Sequence, residues 1–438
     1  MTRPNFRCLL FTGFMILTLP TNTRANPGKP VAVRWWGQAM ISLETYWNLK
    51  VVIDPYGGKI GYENPHVSGD LVLITHEHAD HNNADLVAGA PVIERGLDKE
   101  GNVRAIHQLL DRLPGQPQPW WKDARLRISR SQHAIQVTSI PSWHDDTAGS
   151  QRGANAMFLI EVDGVRIVHC GDLGQLRLAE QQLAAMSKVD VLLIPVGGVY
   201  TVDGRQAADI VRQVKPRIVV PIHYKTPSLV YDLQGVQGFL AAMGDECEIV
   251  RAQGNTLAVG IAKRKAEKTR VVLLDFIPKT LTAEWEALLD AKDKASRASQ
   301  EVFAKLSGAQ MNFRPSNGTH TPRWNAEHMM GRELGFFSQI YEQLDSDIGH
   351  SNLNPKQMPD DYVAAHSDWT GAEEARQLER VRAFTRRFAY LLHGLELDEQ
   401  APGSHWTPRG LLKQMERHYD EHTANVKKKF ELPDWPDE

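Results

Sequence analysis

The chain has 438 residues, of which 42% are hydrophobic and 24% charged, with a formal net charge of −3 and three cysteines. That length calls for two or three domains. The near-balanced charge excludes a polycation built for non-specific nucleic-acid binding, and three cysteines exclude a disulfide scaffold.

In chain order, residues 1–25 read as a secretory signal peptide. Arg3 and Arg7 open it, residues 8–20 form an apolar run too short to span a bilayer, and Thr23-Arg24-Ala25 offers a cleavage site before Asn26. The expectation is an exported protein, periplasmic or extracellular, with no stable membrane insertion. Cleavage removes three arginines and no acid, so the remaining chain is more acidic. Cys170 and Cys247 stay, and are expected as separate buried thiols.

From Val31 short strands alternate with turns: residues 31–35, 39–44 and 50–54, then the turn Pro55-Tyr56-Gly57-Gly58. The apolar run Leu71-Val72-Leu73-Ile74 reads as a buried strand, and His76, His78, Asp80 and His81 follow it directly. Spacing of i, i+2 sets His76 and His78 on one side, and the turn that follows lets Asp80 and His81 serve a second ion. Residues 85–89 are expected to begin a helix and 107–123 to form an irregular loop. Strands are predicted at 136–140, 156–162, 166–170, 189–195 and 217–221, and helices at 176–186 and 204–214. This order predicts two sheets packed face to face with helices outside. Three more strand ends lead into ligand-type residues: Ile140-Pro141-Ser142-Trp143 into His144, His169-Cys170-Gly171 into Asp172, and Pro221-Ile222 into His223. His169, inside its strand, reads as structural. Trp143 and Tyr200 read either as pocket lining or as ordinary core packing, with core packing preferred, Gly197-Gly198 as a tight turn, and Tyr224 and Lys225 either as anion-stabilising groups or as a solvated pair.

The composition turns to charge at 262–269, and 263–275 reads as a linker. Beyond it, residues 281–306, 325–344, 372–395 and 408–432 are long amphipathic stretches, expected as a four-helix bundle. Thr407-Pro408 is an N-cap with proline at the first helical position. The inward seam of the last helix runs Leu411, Met415, His418, His422, Val426, a histidine pair at i, i+4 on an apolar face, and His328 lies early in another helix.

Residues 30–262 resemble the metallo-β-lactamase superfamily through His-Glu-His-Ala-Asp-His at 76–81, His144, Gly-Asp-Leu-Gly at 171–174 and Pro-Ile-His-Tyr at 221–224, in that order. The L-ascorbate-6-phosphate-lactonase-like metal-dependent hydrolases are the branch they look most like. The resemblance implies an αββα sandwich in which His76, His78 and His144 bind one metal, Asp80, His81 and His223 a second, and Asp172 bridges them, with Asp80 and Asp172 counted as catalytic. It implies two divalent transition metals, zinc first and manganese or iron as alternatives. A shared hydroxide would then attack an ester, lactone or phosphodiester bond of a small molecule. Residues 276–434 resemble the DinB-like bundles through Arg-Trp-Asn-Ala-Glu-His at 323–328 and His-Tyr-Asp-Glu-His at 418–422. That resemblance implies a third divalent metal on His328, His418 and His422. The expected fold class is α/β followed by all-α. The rival readings are a phospholipase-like phosphodiesterase or nuclease of the same fold, with the acidic chain arguing against nucleic acid as substrate, and a non-catalytic metal-binding or sensor protein. Substrate, metal identity and oligomeric state are not legible.

Overall fold

A computed structural model describes residues 30–437 apart from 46–47, 58, 111–134, 253, 261–267, 278–279, 355–361 and 365. The signal-peptide segment and most of the expected 107–123 loop lie outside the described residues.

Two sheets form the first half. The smaller has six strands in the spatial order Thr256–Val259, Val31–Trp35, Ile41–Glu44, Lys50–Ile53, Leu71–Ile74 and Val92–Arg95. The larger has eight, in the order Cys247–Arg251, Thr269–Leu273, Ile218–Ile222, Val191–Pro195, Val165–His169, Ala154–Val162, Ile135–Trp143 and His107–Leu110. Side-chain alternation welds them together. Val51, Ile53, Leu71 and Leu73 point into the core shared with Phe158, Ile160, Val168 and Leu192. Val52, Val72 and Ile74 point to the opposite face, under Tyr56, Leu229 and Leu233. The parallel strands of the larger sheet, Val191–Pro195 and Ile218–Ile222, are buried at every position, as expected of strands covered on both faces.

Helices α1 (Glu180–Ala185), α2 (Gly204–Val214) and α3 (Gln237–Met243) belong to this half. Helix α2 starts where expected because Asp203 accepts from the Gln206 backbone amide while the Gln206 side chain accepts from the Asp203 amide. The second half holds α4 (Ala283–Phe303), the short α5 (Gly308–Asn312), α6 (Pro322–Leu344), α7 (Gly371–Arg387) and α8 (Pro408–Lys427). The four long helices pack as a bundle, and Thr282, Thr321, Thr370 and Thr407 each cap one with a side-chain oxygen.

Several expectations are corrected. Residues 85–89 do not start a helix: a 3₁₀ turn at Ala84–Leu86 leads into the short strand Val87–Ala88, which pairs with Val67–Ser68. The helix read at 176–186 is only Glu180–Ala185. His107–Leu110 is not loop but an edge strand, antiparallel to Ile135–Trp143. The stretch 263–275, read as a linker, contains Thr269–Leu273, which runs parallel between Ile218–Ile222 and Cys247–Arg251 and completes the sheet. Its run Val271-Val272-Leu273 is buried, and that burial outweighs the charged residues before it. Helices α7 and α8 end earlier than their periodicity suggests, each continuing into a 3₁₀ turn, at Ala389–Leu392 and Lys428–Glu431.

The halves share an apolar interface. Ala32 and Ala258, on the outer face of the smaller sheet, belong to the same buried cluster as Leu334, Phe337, Phe388 and Leu411 of the bundle. Arg34 donates to the Arg387 carbonyl oxygen at 2.9 Å, and Arg270 pairs with Asp347 at 2.9 Å. Among the described residues no helix is long and apolar enough to cross a membrane. Cys170 and Cys247 are free and buried.

Candidate metal centre

The strand ends converge. The smaller sheet delivers His76, His78, Asp80 and His81 from the turn after Leu71–Ile74; the larger delivers His144, Asp172 and His223 from the ends of Ile135–Trp143, Val165–His169 and Ile218–Ile222. Two clusters result, His76/His78/His144/Asp172 and Asp80/His81/His223, each with its candidate ligand atoms within 4.8 Å of one another. Asp172 lies between them. Its Oδ2 is 3.1 Å from His144 Nε2 and 3.8 Å from His76 Nε2, while its Oδ1 is 3.2 Å from His81 Nε2 and 3.3 Å from His223 Nε2. Asp80 Oδ2 is 3.5 Å from His81 Nε2 and 4.0 Å from His223 Nε2. His78 alone of the seven is exposed, which marks the mouth.

The fold aims these atoms with a surrounding shell of acceptors. His81 Nδ1 donates to Asp54 Oδ2 at 2.9 Å, and His144 Nδ1 to the Tyr200 carbonyl oxygen at 3.2 Å. Thr75 Oγ1, 3.0 Å from His76 Nδ1, donates to Asp54 Oδ2 at 2.7 Å. Each contact puts the ring proton outside and turns a lone pair inward. Gln38 Nε2 donates to Asp80 Oδ2 at 2.9 Å, and the Asp172 backbone amide to Asn155 Oδ1 at 3.0 Å. The His223 backbone is held left-handed at φ +50° by its amide bond to the Gln38 carbonyl oxygen. Gly197 packs so close that a Cβ there would lie 2.3 Å from the His223 carbonyl oxygen, which excludes other residues.

Whether cations fit can be read from the atoms left over. His81 Nε2, His144 Nε2 and Asp172 Oδ1 are buried without a hydrogen-bond partner. Such orphans are costly unless something fills the space between them. Burial alone would raise the Asp172 carboxyl, but the His223 and His81 imidazoles outweigh it and hold the group well below the usual carboxylate range. Burial and the neighbouring His81 push His76 well below its ordinary value, so it stays a neutral donor. Imidazole nitrogens and carboxylate oxygens suit zinc, manganese and iron.

Asp54, Thr75, Gln38 and Asn155 were missed as site residues; the only signal was Ile53-Asp54-Pro55 closing a strand beside the ligand turn. Asp54 sits at φ +48°, where asparagine is tolerated. Asp54→Asn keeps the shape but loses an acceptor for either the Thr75 amide or the Thr75–His81 pair. It should weaken metal affinity about tenfold or more, read by competition against a chelator.

His169 is structural: Nε2 donates to the Ala39 carbonyl oxygen at 2.8 Å, and Nδ1 accepts from the Gly171 amide at 3.1 Å. Trp143 and Tyr200 are not core but exposed at 42% and 44%. Tyr200 and the half-buried Tyr231, with ring centroids 6.4 Å apart, form an aromatic rim. Tyr224 is buried against Trp35, and the half-buried Lys225 donates to the carbonyl oxygens of Leu229 and Tyr231, so it braces the segment that carries Tyr231.

A third cluster lies in the bundle. His328 of α6 and His418 and His422 of α8 bring candidate ligand atoms within 4.8 Å of one another. Asn354 Oδ1 accepts from His328 Nδ1 at 2.8 Å and Asn325 Oδ1 from His422 Nδ1 at 2.7 Å, again leaving the other nitrogens to face the centre. Trp324 stacks on His328 at 4.5 Å. Burial pushes His328, His418 and His422 down to about 4, 3 and 4, with neighbouring imidazoles adding to the effect at each. In the unfolded chain all three titrate near 6.5. The unfolded state therefore takes up protons first as pH falls from 6.5 toward 4, and stability drops through that window. Zinc, nickel or cobalt at about a hundredfold over Kd should stabilise this half by about 2.7 kcal/mol at pH 7.5. The gain should fade below about pH 6 and shrink in His418→Ala and His422→Ala. A melting curve indifferent to metal would leave the three histidines as a hydrogen-bonded polar core.

Comparison with known proteins places the two halves separately. Residues 32–223 match the beta-lactamase superfamily domain and residues 291–426 the DinB superfamily. The UPF0173 metal-dependent hydrolases of Thermococcus onnurineus and Archaeoglobus fulgidus are each 29% identical, over 227 and 228 residues; both alignments cover 50% of this chain, and 95% and 94% of those proteins. A solved metallo-beta-lactamase superfamily structure from Thermotoga maritima is 25% identical with a TM-score of 0.39, covering 56% of this chain and 98% of that one.

Proposed function

We propose that this chain, whose N-terminal half belongs to the metallo-β-lactamase superfamily and whose C-terminal half belongs to the DinB superfamily, is a metal-dependent hydrolase that uses a pair of divalent cations to cleave an ester, lactone or phosphodiester bond of a small molecule. The observation that carries the two-cation reading is Asp172, with one carboxylate oxygen toward each histidine cluster. His76, His78 and His144 would hold one cation and Asp80, His81 and His223 the other, with Asp172 shared. When bound, the pair supplies Lewis acidity to the scissile oxygen and brings a water into its nucleophilic range near neutral pH, so no side-chain nucleophile is needed.

The chain's own residues do the positioning. Asp54, Thr75 and the Tyr200 carbonyl oxygen fix the ring orientations, and Gln38 fixes Asp80. The exposed Trp143 and Tyr200 and the half-buried Tyr231 offer flat apolar surface to a substrate entering past His78. The His328/His418/His422 cluster is an accessory metal site that ties α6 to α8. Arg3, Arg7, the apolar run after them and Ala25 support export to the periplasm or beyond.

A panel of aryl esters, lactones, phosphodiesters and β-lactams, assayed with zinc-, manganese- or iron-loaded full-length protein, tests the reading. Turnover that disappears with a chelator and returns with metal is expected for at least one class. A metal-loaded protein that cleaves none of them faster than its Asp172→Asn variant would overturn it.

A further inference from the structure

The turn Gly197-Gly198-Val199-Tyr200 carries a residue that its backbone does not suit. Val199 has φ +63°, and among the described residues it is the only β-branched side chain in the left-handed region. That conformation crowds a branched Cβ, whereas glycine and asparagine take it readily. The surroundings nevertheless hold the turn there. The Arg152 guanidinium donates to the Val199 carbonyl oxygen at 3.2 Å, and the Tyr200 amide donates back to the Gly198 carbonyl oxygen at 2.7 Å. The next carbonyl oxygen, that of Tyr200, is the one that accepts from the candidate ligand His144. Strain over-determined in this way gathers at functional sites.

The core does not account for the valine either. Its side chain is left 53% exposed, so folding recovers little from burying it. Neither turn chemistry nor packing favours valine over asparagine here, and the remaining use for an apolar side chain is contact with a ligand. Its neighbours suit the same ligand. The Gln234 amide donates to the Gly197 carbonyl oxygen at 2.8 Å, which stitches the turn to the segment that carries Tyr231. Burial and the Asp80 carboxylate raise the Tyr231 hydroxyl above its ordinary value, so that side chain borders the second ligand cluster. The Arg152 guanidinium lies 5.9 Å from the Tyr200 ring centroid, and its stem adds further apolar surface.

We propose that Val199 is a specificity-determining residue which, with Tyr200 and Tyr231, seats an apolar acyl or alkyl chain of the substrate at the mouth of the metal centre. The favoured substrates are then esters or lactones that carry a chain of several carbons. This assignment rests on the hydrolase reading for the reaction, but not for the binding of the chain.

The test compares the zinc-loaded full-length protein with its Val199→Asn variant, in which the new side chain suits the left-handed backbone and is polar. One readout is kcat/KM on 4-nitrophenyl acetate and 4-nitrophenyl hexanoate. The other is the calorimetric Kd of acetate and of hexanoate, which needs no turnover. The parent should prefer hexanoyl over acetyl by about tenfold or more. The variant should lose about threefold or more of that preference, chiefly in KM, and should melt no lower than the parent. If neither ester is cleaved, yet hexanoate binds tighter than acetate and less so in the variant, the hydrolase reading fails and the chain subsite stands. No preference in the parent, or an equal preference in both proteins, overturns the proposal and leaves the hydrolase reading intact. A variant that melts below the parent would show that the valine backbone is not strained, and would overturn it as well.

Discussion

Asp172→Ala should lower hydrolysis by at least about a thousandfold, equivalent to about 4 kcal/mol of lost transition-state stabilisation. It should also reduce the cations retained after dialysis. The carboxylate has an oxygen toward each cluster, so on the proposed two-cation reading its loss would remove a shared negative charge from between cations that repel each other. The fold should survive: the Asp172 backbone amide keeps its bond to Asn155, and Asn155 keeps Ser142 and the Cys170 carbonyl oxygen. The measurement is kcat/KM on any substrate the parent cleaves, with elemental analysis and circular dichroism on the same sample. Parental turnover in the variant would mean that the reaction centre lies elsewhere.

The largest stability effect is expected at Glu333, in α6. Its Oε1 accepts from Lys292 Nζ of α4 at 2.6 Å and from Thr385 Oγ1 of α7 at 2.6 Å, and its Oε2 accepts from the Tyr419 hydroxyl of α8 at 2.6 Å. One buried carboxylate thus touches the other three long helices. Glu333→Ala removes the shared acceptor of Lys292, Thr385 and Tyr419 where water does not reach, and should destabilise the bundle by about 3–5 kcal/mol. Lys292 keeps Asp293 at 2.7 Å, which favours the lower end of that range. The denaturant midpoint, followed by a probe in the bundle, measures the loss. The double variant Lys292→Met/Glu333→Leu should recover part of it, because a buried ion pair replaced as a unit by apolar side chains is often neutral. If the single variant unfolds at the parental midpoint, the carboxylate is not a structural hub.

The candidate ligands were legible because each follows a strand whose apolar run is readable, and a histidine or aspartate at such a point has few structural reasons to be there. The bundle histidines were legible through their i, i+4 step. The groups that aim them were not. Asp54 and Asn325 look like any turn aspartate and helical asparagine until the chain brings His81 and His422 beside them. Sequence favoured core over pocket lining for Trp143 and Tyr200 because both have the composition of core, and only the path of the backbone leaves them outside. Glu333 was invisible for the opposite reason: an acid in an amphipathic helix is normally solvated, and its three donors come from segments 41, 52 and 86 residues away. The strand Thr269–Leu273 was hidden by the charged run before it, since parallel pairing with distant strands leaves no local mark.

Ala32 and Ala258 have a consequence for how such a chain can change over generations. Both are small residues on the outside of one half that lie in the apolar cluster of the other. A bulky or charged residue at either site would suit a free-standing sheet but would wedge the bundle away. What either position tolerates is therefore set by bundle residues encoded further along the chain. A gene segment for either half, cut out and inherited alone, would carry an oily scar where its neighbour had been. The charged run at 262–269 is no place to divide the chain, because the strand Thr269–Leu273 that follows it still belongs to the first half.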